Sequence, residues 1–276
     1  MDLELKDKVV LVTGASGGIG SALADAFAAE GAQLVLHAGS RLAELEQSWG
    51  KRALVVQAEI SDCASVERMF TAARARFGRV DCVIANAGRW TPESALLHQA
   101  SEERIRSNIE TNLFGALWTA RAFLATLAQS APRADGHGAS LVLIGSTAGR
   151  FGERGHAEYA VGKAGLYGIL TSIKNEIVQI DPYARVNMIE PGWTVTRMAR
   201  PSLERPGLIA SVVRTMPLRQ LARAEDIARA ALFLCSPAAA RHVSGQVITV
   251  AGGMEGRVQW ETRDVDEDAV RARLAR

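Results

Sequence analysis

Tyr159 and Lys163 stand four residues apart, a spacing that on a helix puts both side chains on one face. That pair can move a proton. A phenol titrates near pH ~10, too high for efficient exchange at neutral pH. A neighbouring ammonium favours the phenolate and lowers that value. The lysine is a pointed choice, because 27 of the 32 basic residues are arginine and a compact charge differs from a broad guanidinium. Ser146, thirteen residues upstream, adds a hydroxyl able to donate to the same substrate oxygen. The chemistry this allows is proton transfer to a carbonyl oxygen or from an alcohol.

A second set of residues suits a phosphate-bearing cofactor. Thr13-Gly14-Ala15-Ser16-Gly17-Gly18-Ile19-Gly20 follows the apolar run Val9–Val12 and opens a helical stretch. Backbone amides and the positive helix end can receive a pyrophosphate there, and glycines let it approach. The second apolar run ends Leu36-His37-Ala38-Gly39-Ser40-Arg41, with no carboxylate before Glu44 to grip a ribose diol. Ser40 and Arg41 suit a 2′-phosphate instead, which favours NADP(H) over NAD(H). The alternative is that these two residues merely start a helix and face solvent.

The elements that must position these groups follow from periodicity. Seven continuous apolar runs (9–12, 34–36, 54–56, 82–85, 141–144, 186–189 and 247–250) read as strands covered on both faces. Helical patterns lie between them at 18–30, 41–49, 62–77, 101–129, 157–180 and 224–235. The alternation predicts an α/β chain with a seven-stranded parallel sheet flanked by helices on both faces. Segment 193–222, broken by Pro201, Pro206, Gly207 and Pro217, is expected to be a substrate lid with short helices. Residues 257–276 form a charged tail in which Trp260 is a candidate anchor.

The T-G-x-x-x-G-x-G spacing, with Asn86-Ala87-Gly88, Asn112, Ser146, Tyr159-x-x-x-Lys163 and Pro191-Gly192-x-x-x-Thr196, resembles the classical short-chain dehydrogenase/reductase family over roughly residues 5–253. The resemblance implies one doubly wound Rossmann domain over 1–256 and a catalytic set of Asn112, Ser146, Tyr159 and Lys163. In it, Lys163 also binds the nicotinamide ribose and Asn112 holds a water linking Lys163 to solvent. The cofactor would be met by Gly14, Ser16, Gly18, Ile19 and Gly20, by Glu59 and Ile60, by Asn86, Ala87 and Gly88, and by Pro191, Gly192, Thr194 and Thr196 besides Tyr159 and Lys163. Two positions depart from the family pattern: Glu59 and Ala251 stand where aspartate is usual.

Composition narrows the function. A net charge of +2 without a run of five like charges argues against nucleic acid as a partner. No stretch approaches the ~18 apolar residues of a membrane helix. Cys63, Cys82 and Cys235 lack C-x-x-C spacing, and a reducing cytoplasm is expected. His37, His98, His137, His156 and His242 have no ligand spacing, so no metal is expected. The small-molecule pocket is expected at Trp90, Ser146, Phe151, His156 and Trp193, with Arg150, Glu153 and Arg154 nearby. That mixture favours an oxidoreductase acting on a small cyclic or hydroxylated ketone or secondary alcohol. The alternatives are a reductase of 3-oxoacyl thioesters and a cofactor sensor without catalysis. Dense apolar residues on 101–129 and 157–180 point to a homo-oligomer, a tetramer over a dimer.

Overall fold

The computed structural model describes residues 2–130 and 133–274. In chain order it comprises β1 (Val9–Val12), α1 (Gly18–Ala29), β2 (Gln33–Ala38), α2 (Leu42–Trp49), β3 (Ala53–Gln57), α3 (Cys63–Phe77) and β4 (Cys82–Ala85). There follow α4 (Glu102–Ile109), α5 (Gly115–Ala128), β5 (Ser140–Ile144), α6 (Thr147–Phe151), α7 (Ala157–Glu176), β6 (Arg185–Pro191) and β7 (Thr194–Val195). The chain closes with α8 (Arg200–Leu203), α9 (Leu208–Val213), β8 (Ala222–Arg223), α10 (Ala224–Cys235), β9 (Val247–Val250) and α11 (Glu267–Leu274).

All seven expected runs pair into one parallel sheet of order β3-β2-β1-β4-β5-β6-β9. The order runs one way from β1 to β3 and the other way from β4 onward. Neighbouring loops therefore part at the carboxyl ends of β1 and β4, which is where a parallel sheet opens a ligand crevice.

Helices cover both faces, which is why the strands are apolar throughout rather than alternating. Phe70, Phe123 and Leu166 pack on one face, from α3, α5 and α7. Phe27 and Leu23 from α1 meet Ile227 and Leu234 from α10 on the other. Each such side chain contributes about 1.5–3 kcal/mol on burial. At the opposite, amino-terminal edge, the buried Asp81 carboxylate accepts from Val9 N–H at 2.8 Å and pairs with Arg133 at 3.0 Å, locking β1 to β4.

The structure departs from the sequence expectation in four places. The helix expected over 101–129 is two helices joined by a π turn at Glu110–Phe114. The extra residue sits at Asn112, whose amide donates to Arg89 O at 2.8 Å and Asn108 O at 3.0 Å, a demand that a regular helix would not meet. The five-residue α6 is too short to show periodicity; its N-cap is Ser146, whose Oγ accepts from Ala148 N–H at 3.1 Å. Within 193–222 the chain adds β7 and β8, paired parallel as Thr194 with Ala222 and Val195 with Arg223, so the excursion is clamped at its base. The tail carries α11, which no apolar stripe announces.

Candidate active site

The carboxyl ends of β1, β4, β5 and β6 bring the expected motifs to one edge. Gly14, at the end of β1, has φ +66, and a Cβ there would lie 2.9 Å from Ala87 Cα. A Cβ on Gly20 would lie 2.1 Å from Gly14 O. Side chains are therefore excluded where β1 turns into α1. Thr13 Oγ1 accepts from the N–H groups of Asn86 and Ala87, both at 2.9 Å, and Asn86 Nδ2 donates to Thr13 O at 2.8 Å. These bonds hold the glycine-rich loop against the end of β4.

His37 secures the same loop from β2. Its Nδ1 accepts from Gly14 N–H at 3.0 Å, and its Nε2 lies 3.0 Å from Ala58 O. An amide only donates and a carbonyl only accepts, so the ring is the neutral tautomer protonated on Nε2. Burial pushes its pKa below the ordinary histidine value, against smaller opposing effects from Ala58 O and Glu59.

Tyr159 and Lys163 sit on the first two turns of α7. Burial pushes the Tyr159 phenol up to about 12, while its hydrogen bond with Ser146 works the other way. Burial brings the Lys163 ammonium down to about 8. The sequence reading assigns the lowering of the phenol to the lysine together with the cofactor's positive ring, whereas the protein groups by themselves hold the phenol high. The Nζ donates to Ile144 O at 2.9 Å and lies 5.9 Å from the tyrosine ring centroid. The residue before the tyrosine is anchored too. Glu158 is buried and pairs with Arg104 of α4 at 2.7 Å, and Arg104 also donates to Gly155 O at 3.0 Å and Glu93 O at 2.7 Å.

One cleft is lined by Gly14, Gly18, Ile19, Gly20 and Arg41, by Asn86, Ala87, Gly88, Asn112, Ser146, Tyr159 and Lys163, and by Pro191, Gly192, Thr194 and Thr196. Trp90 and Trp193 join it, their rings edge-on at 6.1 Å. Eight expected residues fall outside the lining, among them Arg150 and Arg154, which are exposed to solvent. Ser16 does not reach the cleft, and Ser40 is exposed to solvent. Glu59 folds back on Ser61, accepting from its N–H at 3.1 Å and its hydroxyl at 2.8 Å. Ile60 is buried beneath Gly115. Phe151 packs among Val212, Met216 and Met254. His156 lies against the Trp90 ring, 5.0 Å between centroids.

Seven lining residues escape the sequence reading: Arg89, Ile144, Gly145, Thr147, Met198, Ala199 and Arg257. Thr147 could have been found as the neighbour of Ser146. Arg257 carries no such signal, because it lies beyond the last strand in a segment without periodicity.

This arrangement of strand order, glycine loop and Ser-Tyr-Lys cluster recurs in known proteins. The family model described as enoyl-(acyl carrier protein) reductase matches residues 14–255. The chain is 34% identical over 256 residues to 3-oxoacyl-[acyl-carrier-protein] reductase FabG of Escherichia coli (strain K12), covering 91% of this chain and 99% of that one. It is 33% identical over 248 residues to the 3-oxoacyl-[acyl-carrier-protein] reductase MabA of Mycobacterium tuberculosis, covering 89% and 92%. A solved short-chain dehydrogenase/reductase from Brucella melitensis, titled glucose/ribitol dehydrogenase, superposes with a TM-score of 0.81 at 29% identity over 92% of this chain and 99% of that one. The chain belongs to the short-chain dehydrogenase/reductase family. It is accordingly an oxidoreductase of C=O and CH–OH groups that uses a nicotinamide dinucleotide.

The residues present fit that cofactor. A Cβ on Gly14 or Gly18 would fill the cradle at the start of α1, meeting Ala87 or Thr196 within 3 Å. Arg41 lines the cleft at the end of β2, held only loosely by Glu44 at 3.9 Å. Its guanidinium can take a phosphate of a bound dinucleotide. No helix among the described residues is long and apolar enough to cross a membrane.

Proposed function

We propose that this short-chain dehydrogenase/reductase uses NADPH to reduce the ketone of 3-oxoacyl thioesters. The observation that carries the carbonyl-reductase reading is the Tyr159 hydroxyl, hydrogen-bonded to Ser146 and enclosed in the cleft that also holds the glycine-rich loop. The thioester rests on FabG and MabA, whose names favour it over the cyclic or hydroxylated substrate expected from pocket composition. The preference for NADPH rests on Arg41 and the absence of a carboxylate at the end of β2.

The bound dinucleotide supplies hydride to the carbonyl carbon. The protein acts on the oxygen. Ser146 donates a hydrogen bond that fixes the carbonyl, and Tyr159 delivers its phenolic proton as negative charge develops there. A phenol near 12 is fully protonated at neutral pH, which suits reduction. Lys163, one turn along α7, supplies a positive charge that lowers the cost of the resulting phenolate. Asn112 acts through the backbone, since its amide accepts from Arg89 N–H at 3.1 Å and donates to Arg89 O, fixing the strand that leads to Trp90.

The small polar ketone remains a second reading because of Glu153. This carboxyl lines the cleft and is hydrogen-bonded to Trp90, and burial pushes its pKa up. It can bind a substrate hydroxyl that an acyl chain lacks. Absorbance of the reduced nicotinamide during a screen of 3-oxoacyl thioesters, simple ketones, sugars and polyols with both cofactors decides between them. Turnover of thioesters with NADPH supports the proposal, and selective turnover of sugars or polyols overturns it.

We also propose a cytoplasmic, homotetrameric enzyme in which 193–222 is the substrate lid. Supporting the assembly, Phe114 stacks on Trp118 yet stays 40% exposed, and Val161 on α7 is 55% exposed, apolar surface that a second copy would cover.

A further inference from the structure

The segment after β9 brings a cation to the reacting end of the cleft. Arg257 lines the cleft with Ser146, Tyr159 and Trp90. Its guanidinium is held in place: Nε donates to Gly152 O at 3.2 Å, Nη2 to Thr147 Oγ1 at 3.4 Å, and Nη1 lies 3.6 Å from Met254 Sδ. Thr147 directly follows the serine that fixes the substrate oxygen. The field of Arg257 reaches the Tyr159 hydroxyl, where it opposes the effect of burial.

These contacts tether the side chain without neutralising it. Two of its partners are uncharged oxygens and the third is a thioether, and among the described residues no carboxylate lies within 4.0 Å of it. Glu153 is the acid whose charge it feels, and that carboxyl is hydrogen-bonded to the Trp90 indole. A guanidinium has five N–H donors and no acceptor, so the contacts above leave two donors over. The complementary group on a ligand is an oxygen that only accepts: a carbonyl or a carboxylate.

We infer that Arg257 binds a second oxygen of the substrate, adjacent to the ketone held by Ser146 and Tyr159, and so selects 1,3-dicarbonyl compounds over simple ketones. This rests on the carbonyl-reductase reading and deepens it. In a 3-oxoacyl thioester the ketone and the thioester carbonyl are separated by one carbon, so both oxygens can be held at once. The family model ends at residue 255, and the assignment concerns a residue beyond it.

The test compares two substrates on the full-length enzyme with NADPH: acetoacetyl-coenzyme A and 2-pentanone, a ketone of similar reach without the second oxygen. The specificity ratio, kcat/KM for the first over the second, is expected to fall at least tenfold in Arg257→Ala, mainly through KM for the dicarbonyl. Arg257→Lys, which restores the charge without the fork, is expected to recover part of it. A merely structural role in tethering Gly152 would lower both substrates together and leave the ratio within twofold; that result overturns the inference while leaving the thioester reading intact. Failure of the wild type to reduce any 3-oxo compound while it turns over polyols overturns both. If near-UV circular dichroism shows Arg257→Ala to be misfolded, Arg257→Gln, whose amide can keep one tether, provides the same ratio.

Discussion

His37 offers a direct test of how the glycine-rich loop is held. Replacing it with phenylalanine keeps ring volume but removes both hydrogen bonds, leaving Gly14 N–H without its acceptor and Ala58 O without its donor. Each buried backbone group so orphaned costs about 1–3 kcal/mol. Partial relaxation of the half-buried loop brings the expected loss to the lower half of the combined range, about 2–4 kcal/mol. At roughly 2–4 °C per kcal/mol for a domain of this size, Tm should drop by about 4–16 °C. Because Gly14 begins the cofactor loop, NADPH should bind about tenfold more weakly, read as quenching of tryptophan fluorescence.

The same geometry predicts a pH dependence. Nδ1 can accept only while the ring is neutral, and burial has lowered the folded-state pKa below the ordinary 6.5. The neighbouring Glu59 carboxylate, whose own pKa is lowered by Ser61, works in the opposite direction with the smallest effect. A depressed histidine pKa contributes stability that is complete above the unfolded value and lost as pH falls through the folded one. Wild-type Tm should therefore decline below about pH 6.5, and NADPH affinity only at the lower pH where the folded ring itself protonates. In His37→Asn an amide oxygen takes over the acceptor role, so that part of the decline should vanish. Unchanged Tm and affinity in His37→Phe, or identical acid profiles for wild type and His37→Asn, would refute the reasoning.

Four further outcomes are expected. Tyr159→Phe removes only a hydroxyl and should bind NADPH normally while losing about 100- to 10,000-fold in kcat, measured on the substrate found by the screen; retention of more than a tenth would place the proton donor elsewhere. With the phenol near 12 and the Lys163 ammonium near 8, alcohol oxidation should accelerate from pH 6 to 8 and both directions should weaken above about pH 8 as the lysine charge is lost; an oxidation rate independent of pH between 6 and 8 would contradict the phenol value. Arg41→Ala should weaken NADPH by about 1.5–3 kcal/mol and leave NADH nearly unaffected, by titration of each cofactor; equal losses would rule out a 2′-phosphate contact. In solution, sedimentation at micromolar concentration should give four times 29.5 kDa, and a stable monomer would contradict the assembly assigned to the Phe114 and Val161 faces.

What was legible in the amino-acid order was whatever depends on neighbours in the chain. The seven strands are runs such as Val9–Val12 that must be apolar on both faces, and α3 starts where Asp62 can accept from Ala64 and Ser65 N–H at 3.1 Å. The spacings Tyr159-x-x-x-Lys163 and Gly14 to Gly20 likewise state their local geometry, a helix face and a loop closed to side chains. Other features depend on what approaches from far along the chain. The break at Asn112 arises because residue 89 presents its backbone there, and His37 becomes a latch only because Gly14 and Ala58 flank it. The phenol of Tyr159 rises instead of falling because folding removes water from it and fixes the Lys163 ammonium on Ile144 O. Arg257 reaches the cleft across more than a hundred residues, by bonds to Gly152 and Thr147 that no periodicity encodes. Periodicity and motif spacing record local backbone geometry, whereas desolvation and long-range hydrogen bonds exist only once the sheet has brought distant segments within about 3 Å of one another.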